Sequence, residues 1–207
     1  MKPLPTQQRA IQKRNALIAA ATTCFAEAGY ERTTAKSIAE RAGVATGSFY
    51  QYFDNKDDLL AVIAEQRFDF LRANVAGTPD AKIRPIEQAF SAVLTMIYDF
   101  HQRDRNLHIV LEQRRFVDPQ LADILDTGER SLEQRVLAYV KQFAIPEPEA
   151  MAFTLFAMAE GLVHRHVFFN TELANRNQVI RLGTEVLSSY FISHIRSQTH
   201  EQHQHGA

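Results

Sequence analysis

Along most of the chain apolar residues return every three or four positions, the spacing of one helix face, and no run alternates long enough to suggest a strand. The pattern predicts an all-α protein. A first helix covers 8–28, with Leu17, Ile18, Ala21 and Phe25 on one side, and Gly29 supplies the left-handed residue that ends it. Two short helices follow within 33–53. Asn55 then caps a long helix over 56–75, with Asp58 at the position of a capping-box partner. The segment 76–82, "AGTPDAK", breaks the pattern. Further helices are expected over 83–103, 106–116, 119–143, 149–169 and 172–196, separated where proline interrupts "VDP" and "AIPEPE". The end, 198–207, has no apolar face and reads as a disordered tail.

The stretch 33–53, "TTAKSIAERAGVATGSFYQYF", has the form of a helix-turn-helix. Thr33 or Thr34 caps its first helix, which turns Ile38 and Ala39 inward. Gly43 makes the turn, and a second helix begins near Ala45. Gly47 falls inside that second helix, where glycine costs roughly 1 kcal/mol relative to alanine. A missing side chain there lets a phosphate or base edge approach the backbone, and the open amides of a helix start attract an anion. Phe49 and Phe53, four apart, face the core, while Tyr50 and Tyr52 carry hydroxyls able to donate to phosphates. Lys56 stands at a helix N-terminus, where the macrodipole disfavours a cation and a nearby phosphate would offset that.

Charge supports this end as the nucleic-acid side. The whole chain of 207 residues has a formal charge of −1, yet residues 1–53 hold seven Lys or Arg against three acids. The lone Cys24 lies in an apolar pattern and reads as a buried thiol, and no apolar run approaches the length of a bilayer span. A cytoplasmic protein is expected, with no membrane partner. No phosphate loop, HExxH pair, cysteine cluster or dinucleotide fingerprint is present, so neither catalysis, a cofactor nor a metal is expected.

The run "ALIAAATTCFAEAGYERTTAKSIAERAGVATGSFYQYFDNKDDLL" resembles the tetracycline-repressor (TetR) family of bacterial transcriptional regulators over residues 11–60. The likeness is carried by Phe25, Gly29-Tyr30, Thr34, "IAERAGV", "GSFYQYF" and Asn55-Lys56. It implies a homodimeric regulator, most often a repressor released by a small effector, with an N-terminal three-helix DNA-binding domain joined by a long helix to a C-terminal helical ligand-binding and dimerisation domain. The division would fall at 1–54 and 55–197. Carried over by position, Thr34 and Lys36 would lie near phosphates, Thr46, Gly47, Ser48 and Gln51 would face the major groove, and Tyr50, Tyr52 and Lys56 would meet the backbone of double-stranded DNA. Ala45 stands where many members have a capping serine, which leaves Thr46 or the phosphate to satisfy the first amides. A DNA-bound structural or division-control protein on the same scaffold is the alternative.

Beyond residue 60 no effector motif transfers, and the residues must be read directly. The segment 149–169 is apolar on more than one face, so it is buried from two sides, one of them a second subunit. The last helix carries a similar stripe with Gly183 for close approach, and by resemblance the two helices would form a four-helix bundle with the partner's pair. A small, largely apolar effector would find soft surface at Met96, Phe100, Phe116, Phe153 and Phe156, with His101, Glu160 and His164 to orient it.

Overall fold

A computed structural model of the chain describes residues 7–75, 85–143, 145–169 and 173–204, with backbone alone at 75 and 196–204. The break expected at 76–82, the helix starts expected at 83 and 172, and tail residues 205–207 lie outside these. Among the described residues there are nine α-helices, one short 3-10 helix and no strand. They are α1 (Gln8–Arg32), α2 (Ala35–Arg41), α3 (Thr46–Tyr52), α4 (Lys56–Val75), α5 (Ile86–Arg103), α6 (Arg105–Arg115), α7 (Pro119–Val140), α8 (Pro148–Phe169) and α9 (Arg176–Gln204).

Local chemistry sets several of these boundaries. Gly29 sits at φ 77° inside α1, so the regular helix breaks there and residues 30–32 form an offset final turn. Asn55 accepts from the Asp58 amide at 2.8 Å, and the Asp58 carboxylate accepts from the Asp54 amide at 3.2 Å, which closes the start of α4. Asp118 accepts from the amides of Gln120 and Leu121 at the start of α7. α9 continues to Gln204, past the helix end expected at 196: no glycine or proline occurs from residue 184 to 204 to stop the helix.

The helices group into two compact units. One holds residues up to Phe70 together with Asp104–Gly128, and the other holds Leu71–Arg103 together with residues from Glu129 onward. This differs from the division expected at 54/55, because the apolar faces of α6 and early α7 share a core with the first four helices. Leu107, Val110, Leu111, Leu121 and Leu125 are buried in one cluster with Leu17, Phe25, Ile38, Phe49, Phe53, Leu59 and Leu60. Each such side chain contributes about 1.5–3 kcal/mol on burial, so the added helices are integral to the first unit. Gly128 lets them close: a Cβ there would stand 2.4 Å from the Phe68 ring.

In the second unit α5, α8 and α9 pack around Leu94, Tyr98, Leu155, Val163, Val167, Leu187 and Phe191, all buried. Gly183 belongs to this packing, since a Cβ on it would meet Leu162 at 2.4 Å within the same chain. The close approach that this glycine permits is therefore between α8 and α9.

Candidate functional site

Thr34, not Thr33, caps α2. Its hydroxyl accepts from the Ser37 amide at 3.1 Å, and the Ser37 hydroxyl accepts from the Thr34 amide at 3.0 Å, a reciprocal capping box. Thr33 is buried and donates its hydroxyl to the Gly29 carbonyl at 2.7 Å, satisfying a carbonyl freed by the helix break. After α2 the Gly43 amide reaches the Glu40 carbonyl and the Val44 amide reaches the Ala39 carbonyl, with Gly43 at φ 68°. That left-handed residue turns the chain into α3.

Ala45 is the N-cap residue of α3 and no side chain caps the helix, so Thr46 does not substitute for the missing serine. The first amides of α3 are left to solvent or an incoming acceptor. Thr46, Gly47, Tyr50 and Gln51 are exposed and share one helix face, while Phe49 and Phe53 are fully buried beneath them. Ser48 and Tyr52, also four apart, are half-buried on the flank. Gly47 has helical backbone, and a Cβ built on it meets nothing within 4 Å. Neither backbone conformation nor internal packing requires glycine there. Thr34 and Lys36 are exposed on and beside the start of α2.

Lys56 is placed differently from a purely DNA-facing cation. Its Nζ donates to the carbonyls of Tyr30 at 2.8 Å and Thr33 at 3.2 Å and lies 3.9 Å from the Tyr30 ring centroid. The end of α1 thus offsets the macrodipole penalty that a phosphate was expected to relieve. Two of the three ammonium donors point inward, leaving one for an external anion. Arg114 of α6 lies 4.0 Å from the same ring and donates to Asp57 at 3.2 Å, and Asp57 also accepts from the Tyr30 hydroxyl. Burial first, then the hydrogen bond to Asp57, pushes the Tyr30 phenol well above its ordinary pKa and keeps it a donor. This cluster, drawn from residues 30, 56, 57 and 114, has no local sequence signal. Burial likewise raises the Cys24 thiol, the behaviour of an inert core cysteine.

The second unit holds a half-open cavity of about 100 Å³ lined by α5, α7, α8 and α9. Two residues expected to hold an effector, Phe156 and Glu160, line it. The others do not. Met96 is half-buried elsewhere on α5, and Phe100 is buried against His101, whose ring lies 4.5 Å from that of His164. Burial lowers the His164 pKa against the opposing field of Glu129. Phe153 is 62% exposed on α8, and Phe116 is 86% exposed and belongs to the other unit. Apolar spacing marks a side chain for burial without saying what covers it. Arg135 and Tyr139 of α7, which the sequence pattern did not single out, also line the cavity.

Along the outer faces, Phe153, Ala157 and Gly161 of α8 and Leu182, Val186 and Tyr190 of α9 are exposed at four-residue spacing. The doubly apolar character of α8 is therefore real: Met151, Leu155, Val163 and Val167 are buried within the chain, and a second face is open.

Residues 17–63, from α1 into α4, match the family model described as bacterial regulatory proteins, tetR family. These residues thus carry a tetR-family DNA-binding domain. The HTH-type transcriptional regulator HbdR of Aromatoleum sp. (strain CIB) is 37% identical over 82 residues, which are 40% of this chain and 36% of that protein. The HTH-type transcriptional repressor KstR2 of Mycolicibacterium smegmatis is 26% identical over 131 residues, 63% of each chain. The chain thus spans about one to two thirds of the length of these curated relatives. A transcriptional regulator from Rhodococcus sp. Rha1 shares the fold beyond the DNA-binding domain, with a TM-score of 0.73 at 21% identity over 87% of this chain and 96% of that one. No described helix is long and apolar enough to cross a membrane.

Proposed function

We propose that this chain is a cytoplasmic tetR-family transcriptional regulator, not an enzyme, that binds an operator as a homodimer and is released by a small, largely apolar effector. The observation that carries the DNA-binding role is the exposed face of α3: Thr46, Gly47, Tyr50 and Gln51 lie together over a rigid aromatic base, with Gly47 open to approach. Such a face suits the major groove, while Thr34, Lys36, Tyr52 and the remaining donor of Lys56 supply backbone contacts. The open apolar faces of α8 and α9 support dimerisation through the last two helices, and two copies would give the two-fold symmetry of a paired half-site. The cavity favours a ligand-responsive regulator over a purely structural DNA-bound protein.

Gel-shift titration against DNA from around the chain's own gene tests this reading. Alanine at Thr46 or Gln51 should change the preference among sequences by about 1–3 kcal/mol per lost base contact. Binding that is equally tight to every sequence, unaffected by either change, would remove the specific-regulator reading.

A further inference from the structure

The cavity in the second unit is apolar nearly throughout, with two polar-tipped residues on its α7 side. Phe90 and Ile97 of α5, Leu155 and Phe156 of α8 and Leu187 of α9 give it apolar walls, whereas α7 contributes Arg135 and Tyr139. These two residues are four apart, so guanidinium and phenol stand one turn apart on the same helix face. Among the described residues no hydrogen bond or ion pair engages the Arg135 guanidinium or the Tyr139 hydroxyl. Glu160, the other charged group of the lining, already has an interaction of its own. A guanidinium cannot shed its charge, and beside apolar walls it is best satisfied by an anion that accepts its paired N–H donors. Burial raises the Tyr139 phenol, so it too remains a donor near neutral pH.

We infer that the cavity binds a small, mostly apolar monocarboxylate, its hydrocarbon part against the α5 and α8 side chains and its carboxylate on Arg135 and Tyr139. This deepens the effector reading and rests on it. Size sets the class further. The cavity measures about 100 Å³, and an apolar cavity of about 150 Å³ accepts benzene. The part of the hydrocarbon held inside this half-open cavity is therefore at most about one ring or a chain of five or six carbons. Arginine matches a carboxylate in two parallel hydrogen bonds, a geometry that neither an alcohol nor an amine reproduces.

Isothermal titration of the full chain with hexanoate, benzoate, hexan-1-ol, hexylamine and dodecanoate tests the assignment. Hexanoate or benzoate should bind about ten- to hundred-fold more tightly than the alcohol or the amine. Arg135→Met should bring hexanoate down to the level of hexan-1-ol while leaving the alcohol bound, and Val93→Phe should fill the cavity and lose both. Tyr139→Phe should reduce the preference for the acid by a smaller factor and keeps the test available if the arginine variant misfolds. Equal binding of acid and alcohol, tighter binding of the amine, a preference for dodecanoate, or no binding of either small acid would overturn the inference. Gel shifts on the same preparations separate the two readings. A chain that binds DNA specifically but no acid overturns the ligand assignment alone, and one that binds the acids but no DNA overturns the regulator reading instead.

Discussion

Alanine at Gly47 should stabilise the protein and weaken its hold on DNA, two effects of opposite sign from one methyl group. Gly47 is the second residue of α3, with helical backbone and no atom from beyond its own chain neighbours and helix backbone within 4 Å of an added Cβ. No overpacking term arises, so the change in stability is the helix preference of alanine over glycine, at most about 1 kcal/mol. For a chain of this size that is a rise of about 2–4 °C in the melting midpoint. The same methyl group would occupy the space through which a phosphate or base edge meets the backbone. Losing one such contact costs about 1–3 kcal/mol, or roughly 5- to 150-fold in affinity, and a symmetric dimer carries the change twice. Urea denaturation gives the first quantity and gel-shift titration the second. A destabilised G47A would mean that the glycine serves the fold, and unchanged DNA affinity would mean that nothing approaches it.

Three other outcomes follow from the packing. Replacing Lys56 by Ala should lower the salt slope of DNA binding by about one unit and also lower the melting temperature, because the ammonium holds the Tyr30 and Thr33 carbonyls; a melting point that does not change would deny that bonding. Val186→Arg, at an α9 residue that is 55% exposed in the single chain, should give folded monomers by sedimentation because burying an unpaired charge at a subunit seam is prohibitive; a stable dimer would move the interface elsewhere. Gly128→Ala should destabilise by about 1–3 kcal/mol, since its Cβ would fall 2.4 Å from the Phe68 ring, and Phe68→Leu should recover part of the loss in denaturant titration.

What could be read from the sequence follows the range of the interactions involved. Helix positions were legible because a 3.6-residue period is local, and the Gly43 turn, the Asn55 cap and the buried Phe49–Phe53 pair depend on residues close in the chain. Which helices share a core was not. The packing of α6 with α1 joins residues far apart, and it moved the boundary of the first unit away from 54/55. The same distance hid the meeting of Arg114 with Asp57 and the need for glycine at 128. Gly183 read as an approach point for a second subunit, yet Leu162 of the same chain fills that approach. On the ligand side, aromatic residues drew attention by size, whereas Arg135 and Tyr139 became visible only when α7 was set against α5 and α8.

In the proposed regulator the exposed face of α3 reads base sequence as one half of a symmetric pair. Selection of binding sites from randomised duplex DNA, carried out in parallel with the natural chain and with Q51A, tests it most directly. The selected DNA should share an inverted-repeat consensus whose half-sites lie about 34 Å apart, or a multiple of that. With Q51A the same spacing should persist while one position in each half-site loses its preference. Recovery of no consensus, or of an identical consensus with both chains, would contradict the assignment of Gln51 and of the α3 face to base reading.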